Sequence, residues 1–220
     1  MLYLFIGLLF VSGERGHLIG PERFSRFGPD QGLGAISASC VRMGPNGWLW
    51  VGTTSGLFRF DGVRFQALPQ GPIQSTSVTR LCFDSEGTLW FGTLAGLGRL
   101  DKTGQLLLTQ PAELVANTGD WSITQIVVEN DELWVGTESG LFRGPRNGSS
   151  PMTAVSDLQG TPIQAICPLN RTLWVASGTQ LSALRHKKTV SIACPEPISA
   201  LVAKNGSLVC GSTTGNLFQF

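Results

Sequence analysis

The sequence has few of the side chains that most enzymes use for acid–base and metal chemistry. It contains 2 histidines and 1 tyrosine in 220 residues. Only 14% of the residues are charged, and 16 Lys and Arg against 15 Asp and Glu leave a formal net charge of +1. This balance does not favour nucleic acid or an anionic membrane surface as a partner. Walker, HExxH and GxSxG motifs are missing as well. We therefore expect no catalytic residue, no metal site and no cofactor in this chain.

The 5 cysteines do not have the spacing of metal ligands, because none lies in a CxxC pair or beside a histidine. Cys40, Cys82 and Cys210 fall at apolar positions of an internal repeat, where cysteine serves as a small buried hydrophobe. Cys167 and Cys194 are outside this pattern, and in an exported chain a disulfide is an alternative to free thiols. The odd number of cysteines leaves at least one thiol unpaired.

Apolar residues and turn formers are abundant. The chain has 28 glycines, 12 prolines, 6 tryptophans and 42% hydrophobic residues, which indicates a compact, turn-rich, all-β body. Residues 2–11 form an apolar run that is too short to span a bilayer but suits the central part of a signal peptide. We assign residues 1–20 to a signal peptide and residues 21–220 to the β body, although no Lys or Arg precedes the run. The alternatives are a buried first strand and a misassigned start.

An internal repeat dominates the rest of the chain. Five segments align on the pattern that begins Leu-Trp-Val-Gly-Thr at residues 49–53, and their anchor residues recur about every forty residues. These anchors are Trp50, Trp90, Trp134, Trp174 and Val209. A period near forty with four short strand signals per unit is typical of a β-propeller that has one four-stranded antiparallel blade per repeat.

Each unit divides into strands and turns in the same way. An apolar stretch such as residues 78–83 forms the inner strand, and the anchor strand follows it. A four-residue turn then leads to the third strand, and segments such as residues 63–68 form the outer strand. One glycine recurs in the turn after the anchor strand, and we expect a positive φ there. It is Gly56, Gly96, Gly140 and Gly215.

The anchor motif, complete at residues 49–62 and nearly complete at residues 89–101 and 133–143, resembles the two-component regulator propeller repeat. The resemblance extends over residues 23–220 and fades in the last two units. It implies the periplasmic sensor part of a bacterial hybrid histidine kinase, a diguanylate cyclase or a related signalling protein. In that family the output domain and a transmembrane helix follow the propeller, so any membrane contact would come from a downstream segment that this sequence lacks.

Two arrangements of the blades stay open. Residues 23–27 resemble an outer strand, and they could complete a last unit that ends on its third strand at Phe220. Closure of this kind would give a five-bladed ring without exposed edges. Because the resembling family usually builds seven blades, the other arrangement is a fragment of a seven-bladed ring.

Polar residues recur one position into the inner strands, where we expect them to face the central channel. They are Ser37, Thr79, Thr124, Gln164 and Ser199. This ring could bind a small polar ligand or simply hold water. Trp121, in a long loop that precedes an inner strand, is the tryptophan free to stack on a ligand or to cover the core. The loops at residues 66–77 and 108–122 should share a face with the glycine turns, which makes that face the candidate recognition surface.

For three arginines and two histidines, simple exposure to solvent is the alternative to a functional role. Arg59, Arg99 and Arg143 share one position of the third strand, where they could clamp an anion or lie on solvated blade faces. His17 falls in the suspected signal peptide or just after it, and His186 falls in a basic hairpin, so both are expected to be solvated.

Together these features predict an exported, ligand-sensing propeller of a bacterial signalling protein. Its partner is a small polar ligand or a protein. The alternatives are a propeller enzyme, such as a lyase or hydrolase, and a scaffold for protein partners.

Overall fold

The chain folds into five antiparallel sheets that follow one another in sequence, each made of consecutive strands. The structure is a computed structural model that describes residues 25–34, 37–68, 76–94, 96–109, 122–185 and 188–220. Each sheet is one propeller blade. The all-β propeller predicted from the repeat is therefore confirmed.

The strand bounds agree closely with the sequence periodicity. Blade 1 consists of β1 (Ala38–Met43), β2 (Leu49–Thr53), β3 (Gly56–Phe60) and β4 (Phe65–Ala67). Blade 2 consists of β5 (Val78–Phe83), β6 (Leu89–Thr93), β7 (Gly96–Leu100) and β8 (Leu106–Thr109). Blade 3 consists of β9 (Ile123–Glu129), β10 (Glu132–Thr137), β11 (Gly140–Pro145) and β12 (Thr153–Ala154). Blade 4 consists of β13 (Ala165–Leu169), β14 (Thr172–Ser177), β15 (Gln180–Arg185) and β16 (Lys188–Ala193). Blade 5 consists of β17 (Ile198–Lys204), β18 (Ser207–Ser212) and β19 (Leu217–Gln219).

The second strands of blades 1 to 3 are almost entirely buried, because both of their faces are covered by apolar side chains. All five residues of β2 are buried. Trp50 packs against Val78 and Leu81 of the next blade, on what we call the trailing face. Val51 points the other way and packs with Phe58 and Phe65, on what we call the leading face. Because both faces of the strand are buried, the anchor motif is continuously apolar and does not alternate between apolar and polar residues.

The Gly-Thr pair of the motif and the glycine three residues later close the turn between second and third strands. The Thr53, Thr93 and Thr137 hydroxyls donate to the carbonyl oxygens of Gly56, Gly96 and Gly140 at 2.8, 2.9 and 3.0 Å. The three glycines have φ of +131°, +136° and +138°, and Gly215 has +94°, so the predicted positive φ is confirmed.

The glycine before each threonine is a contact point for the next blade. A Cβ placed on Gly92 would lie 2.7 Å from Ile123 Cγ2, and one on Gly136 would lie 2.7 Å from Ile163 Cγ2. These isoleucines precede or begin the inner strands of the following blades. A side chain larger than hydrogen would therefore push the two blades apart.

The closing strand expected at residues 23–27 is not seen in the described part of the chain. Blade 5 has three strands there, and residues 25–27 form no strand. Phe27 instead packs edge-on against Phe60 of blade 1, with ring centroids 4.9 Å apart. After the one-turn helix Pro29–Gln31, Leu33 covers the leading face of blade 1.

Candidate functional site

The predicted polar ring lies at the inner strands, with one correction. The strand pairing is interrupted at Thr79, Thr124 and Ser199, each of which is an extra residue in its inner strand. In blade 1 the interruption falls at Ser39, between Ala38 and Cys40. The prediction that Ser37 holds the equivalent place is therefore wrong, because the bulge shifts the alignment by two residues. Ser37 precedes β1, and its carbonyl accepts a hydrogen bond from the Thr54 N–H.

Two of the ring residues, Thr79 and Thr124, link consecutive blades, whereas Gln164 bonds within its own blade. The Thr79 hydroxyl donates to the Ile123 carbonyl at 2.8 Å, and the Thr124 hydroxyl donates to the Ile163 carbonyl at 2.5 Å. The Gln164 side chain accepts from the Gly178 N–H at 2.7 Å. The two threonine hydroxyls use their O–H donors in these bonds and keep acceptor capacity for a ligand. The Gln164 bond uses only the side-chain oxygen, so it does not engage the amide N–H donors. Binding by the ring stays a prediction.

Several predicted residues lie outside the described part of the chain. Trp121, His17, His186 and the suspected signal peptide are among them. No helix among the described residues is long and apolar enough to cross a bilayer. Within the same residues, no cluster of three or more His, Cys, Asp or Glu side chains could hold a metal ion.

The recurring arginines lie on tryptophan rings. The Arg59 guanidinium stands 3.6 Å from the centroid of Trp48, and Arg143 stands 5.9 Å from that of Trp134. Arg99 has the same relation to Trp90 at 6.0 Å, and it also donates to the Asn147 carbonyl. Cation–π contacts of this kind hold the charge at a fixed place on the blade. The arginines are half-buried rather than fully solvated.

A cleft of about 530 Å³ opens between blades 3 and 4, and we call it the blade 3–4 groove. Trp134 and Arg143 form its blade 3 wall, and Arg171, Arg185 and Lys188 lie on the blade 4 side. Its volume is in the range of small-molecule sites. A smaller cleft of about 380 Å³ between blades 1 and 2 contains Arg59 as its one described cation.

Among the described residues, no cation of the blade 3–4 groove forms an ion pair within 4 Å. Between described residues, every ion pair within 4 Å belongs to Arg146, which is not in the groove. Glu129, Glu132 and Asp157 also line the cleft, so it presents both signs of charge with a cationic excess. Such a cleft can attract a small anionic or zwitterionic molecule.

Sequence reasoning missed this groove because its residues come from two repeats and from three different turns. Arg185 and Lys188 flank the basic hairpin of His186, for which only exposure to solvent was expected, and no role was predicted for Arg171. The one available signal was the set of charges at hairpin tips. The charged residues form a site only because blades 3 and 4 lie side by side in the fold.

The cysteines are free thiols in apolar surroundings. Burial raises the pKa of Cys40 and of Cys210 to about 11, and it also raises the pKa of Cys82, Cys167 and Cys194. Thiols held in the neutral form are poor nucleophiles and poor metal ligands. Cys167, Cys194 and Cys210 pack in one cluster between blades 4 and 5.

One family of known sequences matches the repeat. Residues 72–95 match the family described as two component regulator propeller, so the chain carries a repeat of that family. The resemblance seen in the sequence is thereby confirmed. No curated protein sequence matches the chain significantly.

Solved structures share the fold at low sequence identity. The virginiamycin B lyase of Staphylococcus aureus superimposes with a TM-score of 0.62 at 15% identity, over 83% of this chain and 69% of the lyase. An extracellular domain described as that of a hybrid two component system of B. thetaiotaomicron gives 0.56 at 18% identity, over 84% of this chain and 32% of the domain. PorZ, a surface component of the type-IX secretion system of Porphyromonas gingivalis, gives 0.67 at 13% identity, over 84% of this chain and 27% of PorZ. The chain therefore spans about a third of that extracellular domain and about a quarter of PorZ.

Proposed function

We propose that this chain is the extracytoplasmic ligand-recognition propeller of a bacterial two-component or related signalling protein. The observation that carries the proposal is the regulator propeller repeat at residues 72–95, set in a propeller of five blades. The similarity to extracellular domains of hybrid two component systems supports it at the level of fold. The output domain, a histidine kinase or a diguanylate cyclase, would be a separate part of the signalling protein.

The blade 3–4 groove is the proposed ligand site, and its ligand is a small anionic molecule. Arg143 is positioned by Trp134 in one blade, while Arg171, Arg185 and Lys188 belong to the next. A ligand that contacts both walls would favour one relative position of the two blades. A change in that position is a signal that an attached output domain could detect.

A ligand screen tests this site. Small carboxylates and phosphate esters, each with a neutral analogue of similar size, are added to the purified chain, and the melting temperature is recorded. We expect an anionic compound to raise it in a concentration-dependent way. The double variant Arg143→Gln/Arg171→Gln should lose the shift, whereas Arg42→Gln, an exposed arginine outside the groove, should keep it. A shift that both variants retain would place the ligand elsewhere.

A second candidate function is a propeller enzyme. The observation that favours it is the similarity to virginiamycin B lyase, which covers a larger share of the known protein than the similarity to the two component domains. Incubation with virginiamycin B, followed by chromatography, tests it directly. Conversion of the antibiotic would replace the sensor proposal. Under the sensor proposal we expect none.

A further inference from the structure

Trp48 is the tryptophan of blade 1 that the repeat does not explain. It immediately precedes β2, at a position where blades 2 to 5 carry Thr88, Glu132, Thr172 and Ser207. The centroid of its ring lies 3.6 Å from the Arg59 guanidinium carbon. For Arg99 and Arg143, which lie over anchor tryptophans, the corresponding distances are 6.0 and 5.9 Å. Blade 1 therefore has an extra aromatic ring that holds its arginine in closer contact than the other two are held.

The Arg59 guanidinium is only partly satisfied by its own chain. Its Nη2 group donates to the Gln66 side-chain oxygen at 3.0 Å. Its Nε atom is buried and has no hydrogen-bond acceptor among the described residues. No described carboxylate lies within ion-pair distance of Arg59. Because a buried N–H without an acceptor is rare and costs free energy, we expect this guanidinium to take a further acceptor.

Asp61 does not supply that acceptor. Its carboxylate is exposed and accepts hydrogen bonds from the Val63 and Arg64 backbone N–H groups, each at 2.9 Å. These backbone hydrogen bonds lower the pKa of Asp61. The Gln66 amide lies between the two charges, because its oxygen accepts from Arg59 and its nitrogen donates to Asp61 at 3.3 Å. Asp61 thus orients the amide that holds Arg59 and leaves the guanidinium charge unpaired.

Arg59 and Gln66 line the cleft of about 380 Å³ between blades 1 and 2, which we call the blade 1–2 cleft. They are the two polar side chains of its lining. The other lining residues are apolar or glycine, and they come from both blades. They are Trp50, Ala67, Leu68, Leu100, Gly104 and Leu106. The cleft therefore places one positive charge on an otherwise apolar wall, and its volume is that of a small-molecule site.

We propose that the blade 1–2 cleft binds a monocarboxylate with an apolar body, either aromatic or aliphatic. The carboxylate accepts hydrogen bonds from the Arg59 guanidinium, and the apolar body lies against Leu100 and Leu106. One cation in an apolar lining matches a single negative charge, since a second charge would be buried without a partner. Trp48 and Gln66 hold the guanidinium in place before the ligand arrives, which reduces the entropy lost on binding.

This site differs from the blade 3–4 groove in the ligand that it selects. The groove contains four described cations together with acidic side chains, whereas the lining of the blade 1–2 cleft has one cation and no carboxylate. The groove therefore suits a small, strongly polar anion, and the blade 1–2 cleft suits an acid that buries apolar surface. The proposal does not depend on the sensor function or on the groove.

Isothermal titration calorimetry of the purified chain tests the proposal with benzoate and hexanoate as probes. We expect at least one of the two acids to bind saturably at one site per chain. Benzamide and hexanamide, which lack the charge, and inorganic phosphate, which lacks the apolar body, should each bind more weakly by roughly tenfold or more. An amide that binds as well as its acid would overturn the role of Arg59, and the absence of saturable binding by both acids would overturn the site.

Variants locate the binding on the chain. Arg59→Gln should weaken binding of the acid by roughly tenfold or more, because it removes a charge-assisted hydrogen bond. Arg64→Gln is the matched control, since it removes the same charge from an exposed arginine of the same blade that does not line the cleft. Leu106→Asn changes the apolar wall contributed by blade 2 and should also weaken binding. Circular dichroism and melting temperature establish that each variant is folded, and the Leu106 variant keeps the test valid if Arg59→Gln does not fold.

The double variant Arg143→Gln/Arg171→Gln separates this proposal from the ligand site in the blade 3–4 groove. We expect it to bind the acid as the wild-type chain does, because neither arginine lines the blade 1–2 cleft. Loss of binding in this double variant, with binding retained in Arg59→Gln, would place the acid in the groove. That result would overturn the present proposal and would support the groove.

Discussion

The Arg146 guanidinium of blade 3 lies 3.5 Å from the carboxylate of Asp84 in blade 2, whose side chain is only 1% exposed. The same carboxylate accepts hydrogen bonds from the Glu86 and Thr88 backbone N–H groups at 3.0 and 2.9 Å, and from the Trp90 indole at 3.2 Å. Arg146 also pairs with Glu86 and Asp131, and these contacts raise its pKa. One buried carboxylate thus organises a hairpin, a core tryptophan and the contact between two blades.

Asp84→Ala should destabilise the chain by roughly 2–4 kcal/mol, because it leaves the indole and two backbone donors without their acceptor. Asp84→Asn keeps an acceptor for the backbone donors and should cost less. Chemical denaturation of both variants measures the difference. Equal losses for Ala and Asn would mean that the negative charge, and not the hydrogen bonds, carries the stabilisation.

Gly92→Ala should destabilise the chain by about 1–3 kcal/mol, since the added methyl group would overlap Ile123 of blade 3. Gly211→Ala is the matched control at the equivalent position of blade 5, where the nearest described atoms lie at 3.7 Å or more. At low protein concentration, denaturation midpoints should fall for Gly92→Ala and stay unchanged for Gly211→Ala. A similar fall in both would contradict a blade contact specific to Gly92.

Much of this arrangement could be predicted from local sequence, and some of it could not. Strand β5 was expected at residues 78–83 and is observed at Val78–Phe83, because its apolar pattern and the flanking turns are local signals. The register of β1 was misassigned because Ser37 and Ser39 flank Ala38. The local sequence does not show which of the two serines is the extra residue at the bulge. The Asp84–Arg146 pair joins residues of different repeats, so no local pattern predicts it.

The blade 3–4 groove was missed for a related reason. Cleft walls in a propeller come from adjacent repeats, and their charges vary between units while the core motif stays constant. The periodicity that predicts the fold therefore says nothing about which pair of blades forms the larger cleft. The two clefts, between blades 1 and 2 and between blades 3 and 4, differ in their cations even though both are built around an anchor tryptophan.

Thr124→Val should destabilise the chain by about 1 kcal/mol, because it removes the hydroxyl that donates to the Ile163 carbonyl while keeping the shape of the side chain. Ser199→Ala serves as the comparison, since that exposed hydroxyl bonds only within its own blade. Thermal denaturation should lower the melting temperature for Thr124→Val and leave it nearly unchanged for Ser199→Ala. A reversed order would show that the ring hydroxyls do not join the blades.

Alkaline pH should destabilise the folded chain through its buried thiols. Burial raises the pKa of Cys40 and Cys210 from the ordinary value of 9.0 to about 11. Above pH 9 the thiols of the unfolded chain lose their protons while the folded ones keep theirs, so deprotonation favours unfolding. The thiol contribution to stability is complete below pH 9 and declines as the pH rises towards 11.

Denaturation midpoints of the wild-type chain and of Cys40→Ala/Cys210→Ala, measured from pH 7 to pH 11, check this sign. The double variant should be less stable than wild type at pH 7, because it loses buried volume. It should then lose less additional stability above pH 9, so that the two curves converge. Parallel curves would mean that other groups, such as the lysines, cause the alkaline loss. In that case the pKa of the two thiols would lie close to the ordinary value of 9.0 in the folded chain as well.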